Sequence, residues 1–293
     1  MTNIPLVLFL GILSTIQTHL AKALERQGIE VFDQIRDRLQ KSRQPVPRGL
    51  RKPIIYIIGV ILNNTTFIYP TLAQPYGPPA LFSSMFGVGL VFLMGYAAFV
   101  LKETISRREM VGAAAIVTGT LIIGIENITR RGLDRFTMNL PLMLIALGIW
   151  LSLSLVFALA ALRSSDLRWI AVAFGSLAGS MGSLDPFFKG VGQNYGGQPG
   201  IIPSNLIGSI FFVSSFIIGF LAFVVTQIGF ARKARASLLV PVYNAAYIGM
   251  PILWQTLLLP NYRITLTTLI GLILLLAGVA LMQPFKSHAP SQG

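Results

Sequence analysis

Nine stretches of this chain run for about 20 residues each with hardly a charge in them, and that pattern excludes most folds. They cover roughly residues 4–24, 53–73, 79–101, 110–126, 140–162, 169–190, 206–231, 237–259 and 264–285. A helix of that length spans the roughly 30 Å hydrocarbon core of a bilayer, and inside lipid a helix satisfies all of its own backbone polar groups. Charged residues make up 11% of the chain, too few to clothe a water-soluble domain of 293 residues. The expected class is therefore all-α and integral to a membrane, with about nine transmembrane helices. The second stretch holds Asn63-Asn64-Thr65-Thr66 and the sixth holds Asp185, so these two carry the weakest apolar signal.

Placement of the basic residues sets an orientation. With the N-terminus outside, seventeen of the 23 Lys/Arg residues fall in inner loops and the tail, and five on the outer side. The chain is thus expected to be multi-pass in the cell membrane, N-terminus outside and C-terminus cytoplasmic. Arg130, Arg131 and Arg135 form the one outer cluster. The net charge of +13 reads as topology, and no nucleic-acid partner is implied. The absence of cysteine excludes disulfides and thiolate metal sites, and no nucleotide or nucleophile motif is present. No enzyme activity and no cofactor are expected. In the loop 25–52, Val31, Phe32, Ile35 and Leu39 share a helical face among basic residues, which fits either an amphipathic helix on the inner leaflet or a solvated loop.

Part of the chain repeats. Gly112 and Gly119 are seven apart, and so are Gly271 and Gly278 after an offset of 159 residues. Both helices carry small-residue stripes of the kind that let helices pack closely in lipid. In the deduced topology the third span runs inward and the eighth outward, so the two units are inverted, as in many secondary transporters. The expected organisation is a first repeat of four helices over 1–126, a connection at 127–139, a second repeat of five helices over 140–285, and an inner tail at 286–293.

The stretch from Ala80 to Gly124, with Lys102-Glu103 closing one helix and Gly112 and Gly119 in the next, resembles the drug/metabolite transporter superfamily. The second copy keeps the glycines and has Tyr262 where Glu103 would recur. Within the superfamily the chain is most similar to the NIPA-type magnesium transporters. The likeness lies in AKALERQG before the basic loop, four helices in the first half, GSLAGSMGSLDPFFKGVG in the sixth span and SLLVPVYNAAY in the eighth. Asp185-Pro186 departs from that family's pattern. The resemblance implies a secondary transporter working by alternating access, with magnesium or another divalent cation as cargo.

Several polar residues lie inside apolar spans, where they are costly and usually face a cavity, a partner or a substrate. Asp185 is the foremost candidate for substrate or metal binding. Lys189 is one turn on, so an internal ion pair is the competing reading. Pro186 is expected to bend or break its helix and free backbone carbonyls. Asn63 and Asn64 either bind substrate or tie helices together. Tyr243 and Asn244, with Tyr247, follow Pro241, and Gln227 with Thr226 lies in the preceding span; all could line the same cavity. Glu103 reads as a structural or gating contact at the inner interface. His19 and Gln17 read as packing polars. Magnesium gives up its water reluctantly and is held by carboxylates, which are scarce here, so a hydrated ion or a neutral or cationic organic solute fits the composition better. Three readings stand: a divalent-cation transporter, an exporter of a small organic solute, and a membrane scaffold that transports nothing. The partners are the lipid bilayer and a small solute or divalent cation, with a homodimer left open.

Overall fold

The computed structural model describes residues 3–28, 51–99, 105–129, 139–195, 200–234, 236–258 and 262–282. Glu103, most of the basic loop and the Arg130–Arg135 cluster lie outside the described residues. Among the described residues every regular element is a helix: α1 Ile4–Gly28, α2 Arg51–Thr65, α3 Ile68–Ala73, α4 Pro79–Ser84, α5 Phe86–Phe99, α6 Arg107–Thr129, α7 Leu140–Arg163, α8 Leu167–Asn194, α9 Leu206–Ala231, α10 Ala236–Leu258 and α11 Leu266–Leu281. Among the described residues, six helical segments are long and apolar enough to cross a membrane: Ile4–Glu25, Pro53–Ala73, Pro79–Tyr96, Arg107–Ile128, Leu140–Arg163 and Leu206–Ala231. Their outer faces are mainly apolar, and the exposed Asn64 and Ser152 bond back to carbonyls of their own helix. Ile145, Leu153, Leu155 and Val156 on α7 and Phe220 on α9 are all exposed, which only lipid makes favourable.

Two expected single helices are each broken in two. Between α2 and α3, Asn64 Nδ2 donates to the Val60 carbonyl at 2.8 Å, Thr65 Oγ1 to Ile61 at 2.9 Å and Thr66 Oγ1 to Asn63 at 2.5 Å. Such back-bonding competes with the helix, and Pro70 has no N–H to offer Thr66. Between α4 and α5, the hydroxyls of Ser83 and Ser84 bond back to Ala80 and Leu81 in the same way. Pro186 behaves otherwise than expected. Helix α8 runs unbroken from Leu167 to Asn194 through it. Tight packing against α9 and α10 holds the helix together, and the missing N–H leaves the Gly182 carbonyl without its usual donor.

The packing has a repeating logic. Helix α1 packs on α2 and α5, while α8 packs on α9 and α10. Helices α6 and α11 pair with each other, and α7 rests on α8. The α6–α11 pair is antiparallel and reciprocal. A Cβ on Gly112 would meet the Gly278 carbonyl at 2.7 Å, and one on Gly278 would meet the Gly112 carbonyl at 2.5 Å. Gly119 and Gly271 face each other likewise, at 2.5 and 2.9 Å. Only glycine permits that approach.

Candidate functional site

Helix α1 sends a polar stripe inward. Ser14, Thr18 and Lys22 recur every fourth residue, so they stack on one face. They form one wall of a cavity of about 200 Å³, closed elsewhere by residues of α2, α3, α5, α8, α9 and α10. Its aromatic floor is a run of three rings. Phe86 stacks on Tyr247 with centroids 3.9 Å apart, and Tyr247 on Tyr243 at 5.8 Å. Gly182 makes the floor possible, since a Cβ there would collide with the Tyr243 hydroxyl.

Lys22 is 1% exposed, and its ammonium lies 2.9 Å from the centroid of the Tyr243 ring. Its Nζ has no hydrogen-bond partner among the described residues. Asp185 lines the same cavity from α8 and forms an ion pair and hydrogen bond with Lys189 one turn away. Lys189 is fully buried, with its ammonium 4.2 Å from the Phe216 ring centroid. Asp185 thus makes the expected internal pair and also borders the cavity.

At the Gly28 end of α1, beyond Lys22, lies a polar knot. Asn63 Nδ2 donates to Glu25 Oε1 at 2.9 Å, Gln227 Nε2 to Glu25 Oε2 at 2.5 Å, and the Tyr56 hydroxyl to Gln227 Oε1 at 3.1 Å. Toward the opposite end, Gln193 Nε2 donates to the Thr71 carbonyl at 2.8 Å and Asn194 Nδ2 to the Gln74 carbonyl at 3.3 Å. On the cavity wall itself, Phe67 and Phe220 are exposed, on the side between the α2–α3 junction and the middle of α9.

Of the residues singled out in the sequence, Asn63, Asn64, Asp185, Tyr243, Tyr247 and Thr226 border this cavity. Gln227 belongs to the knot. Asn244 stands outside the cavity wall: its Nδ2 donates to His19 Nε2 at 2.7 Å, while His19 Nδ1 donates to the Thr15 carbonyl at 2.7 Å. Pro186 and Lys189 are buried behind Asp185. Lys22 and Glu25 escape sequence reasoning as site residues because they read as the charged end of a span. The signal that could find Lys22 is the Ser14–Thr18–Lys22 spacing, which puts the lysine on the same face as two hydroxyls. Among the described residues no three His, Cys, Asp or Glu side chains gather as a metal site.

A second, larger void of about 870 Å³ lies between α7, α8, α10 and α11. Trp150, Leu153, Leu272 and Leu276 are typical of its wall, which is almost wholly hydrocarbon. Its polar lining is limited to Ser154, Ser176 and Ser180, and the hydroxyls of Ser176 and Ser180 donate back to carbonyls of their own helix, so it offers little to orient a polar solute.

Compared with family models, curated proteins and solved structures, the chain finds no match in any of the three.

Proposed function

We propose that this chain is a secondary transporter that moves a small organic solute across the cell membrane by alternating access. It crosses the bilayer nine times, N-terminus outside and C-terminus inside, in two inverted halves of the drug/metabolite transporter kind. The observation that carries the reading is the cavity between α1, α2, α8, α9 and α10, with polar contacts between helices beyond each end. A cavity of this sort at the meeting of two helix groups is where transporters with internal repeats bind cargo. The reciprocal α6–α11 contact supports the inverted halves, since residue i meeting j while i's equivalent meets j's is the mark of a two-fold axis. The helix starts agree. Ser106 and Glu109 form a reciprocal capping box on α6, and 159 residues later Thr265 caps α11 through the N–H of Thr268.

Charge argues for an organic solute over magnesium. Asp185, the carboxylate on the cavity wall, is already neutralised by Lys189, and Lys22 adds a positive charge a divalent cation would have to face. A scaffold that transports nothing would have its buried polar groups paired within the protein, and Lys22 has no such partner among the described residues.

Reconstituted into proteoliposomes, the protein is expected to carry an organic solute from a panel spanning organic anions, cations and neutral compounds, with counterflow. Phe86→Trp, which fills the cavity floor, is expected to reduce that flux at least tenfold while leaving the protein folded. Magnesium flux with no organic flux would reverse the cargo assignment. No flux of any solute in protein of native far-ultraviolet circular dichroism would remove the transport reading.

A further inference from the structure

Lys22 stands apart from the other buried polar groups. It is almost wholly buried, it faces the cavity, and its ammonium has three N–H donors and no acceptor among the described residues. The Tyr243 ring beneath it attracts the charge but accepts none of those hydrogen bonds in the ordinary sense. Glu25, one turn along α1, attracts Lys22 by its charge but makes no hydrogen bond to it, its two oxygens being engaged by Asn63 and Gln227. A lysine left in this condition inside a bilayer is unfavourable unless something supplies negative oxygens. The hydroxyl of Thr18, one turn back on the same face, can donate to the same oxygens.

Around this polar strip the wall is aromatic. Phe86, Tyr243 and Tyr247 form the floor, and Phe67, Phe216, Phe220 and Phe223 line the side toward the middle of α9. With about 200 Å³, the cavity holds roughly seven waters' worth of liquid, enough for a single ring or a short chain with one head group.

We propose that the cavity binds an organic anion: a carboxylate or phosphate ester whose oxygens meet Lys22 and Thr18, and whose apolar part lies on the Phe86–Tyr247–Tyr243 floor. This rests on the reading of the cavity as the solute site, and it names the solute's class. Asp185 takes no part in the anion's binding, because its charge is held by Lys189.

The test uses the full chain in nanodiscs, at constant ionic strength, with three ligands of nearly one shape. Benzoate and phenyl phosphate carry the two kinds of oxyanion, and benzylammonium carries the opposite charge. Saturable binding is read as a rise in the thermal unfolding midpoint followed by tryptophan fluorescence. One or both anions are expected to raise the midpoint, the more effective one identifying the head group, and benzylammonium is not. Lys22→Gln is expected to weaken the binding at least about 30-fold, the consequence of removing one side of a buried charge-assisted contact. Lys22→Arg and Thr18→Val test the same site with less disturbance to folding: arginine retains binding within about tenfold, and valine weakens it for the anions only. Midpoints unmoved by either anion in the wild type, an unchanged response in Lys22→Gln, or stabilisation by benzylammonium alone would each overturn the assignment. Anion binding without anion flux would instead sink the transport reading and leave the site standing.

Discussion

At the scale of single residues, the interior of this protein is a set of polar groups whose partners come from distant parts of the chain. His19 shows how much a residue's surroundings decide. In the sequence it is a lone histidine in an apolar run, with no metal-ligand spacing to any other. In the fold its Nδ1 is fixed by the Thr15 carbonyl, so Nε2 is left to accept from Asn244, 225 positions along the chain. Nothing local could reveal that partner, whereas Asp185 and Lys189 are legible because a helix brings i and i+4 together. A hydrogen bond between buried helices in a membrane is worth about 0.6 kcal/mol on average and up to about 1.7. A double-mutant cycle of His19→Ala and Asn244→Ala, measured by reversible unfolding in mixed detergent, is therefore expected to give a coupling energy within that range. A coupling indistinguishable from zero would mean that the contact does not tie α1 to α10.

At the scale of elements, glycine placement decides which helices meet. Gly112, Gly119, Gly271 and Gly278 can be picked out from their equal spacing, yet the spacing does not say that they face one another across a single interface. They do, with carbonyls where side chains would be. Alanine at Gly119 or Gly271 puts a methyl within 2.9 Å of backbone, which cannot rotate aside. Each substitution is expected to lower stability by about 1–3 kcal/mol, the usual range for overpacking. Gly95 and Gly148 are the controls: a Cβ there meets nothing within 4 Å, and Ala is expected to be neutral or stabilising by up to about 1 kcal/mol, through helix propensity alone. If all four variants unfold alike, close packing is not what the glycines provide. The breaks at Thr66 and Met85 are less legible than the glycine stripe. Hydropathy runs smoothly across Met85 and only dips at Asn63–Thr66, and the signals that stop the helices are hydroxyl and amide groups bonding back to the preceding turn. Conversely, Pro186 and the two prolines of α10 look like breaks and are not, because neighbouring helices hold the chain in register.

At the scale of the whole molecule, hydropathy carries the membrane class and the basic residues an expected orientation, but neither shows the long-range hydrogen bonds beyond the two ends of the cavity. The knot of Glu25, Asn63, Gln227 and Tyr56 binds α1, α2 and α9 at the end where α1 finishes, the inner end in the proposed topology. Gln193 and Asn194 bind α8 to the α3 segment at the opposite end, the outer one in that topology. Alternating access requires one set to open while the other holds. Breaking either set should therefore bias the population toward one side, by the free energy that those hydrogen bonds contribute. Two hydrogen bonds of about 1 kcal/mol each shift a two-state balance by roughly 30-fold. The chain has no cysteine of its own, so a single one placed at Thr18 on the cavity wall reports directly. With an impermeant maleimide, Gln227→Leu is expected to speed labelling of Thr18→Cys from the inner side, and Gln193→Leu from the outer side. Cysteines at Ser42 and Thr137, in loops assigned to opposite sides by the basic residues, fix which side is which. If both leucine variants speed labelling from the same side, the two sets of hydrogen bonds are not opposing gates. Alternating access would then have to be replaced by a pathway with a single entrance, for which the side of the cavity where Phe67 and Phe220 are exposed is the candidate.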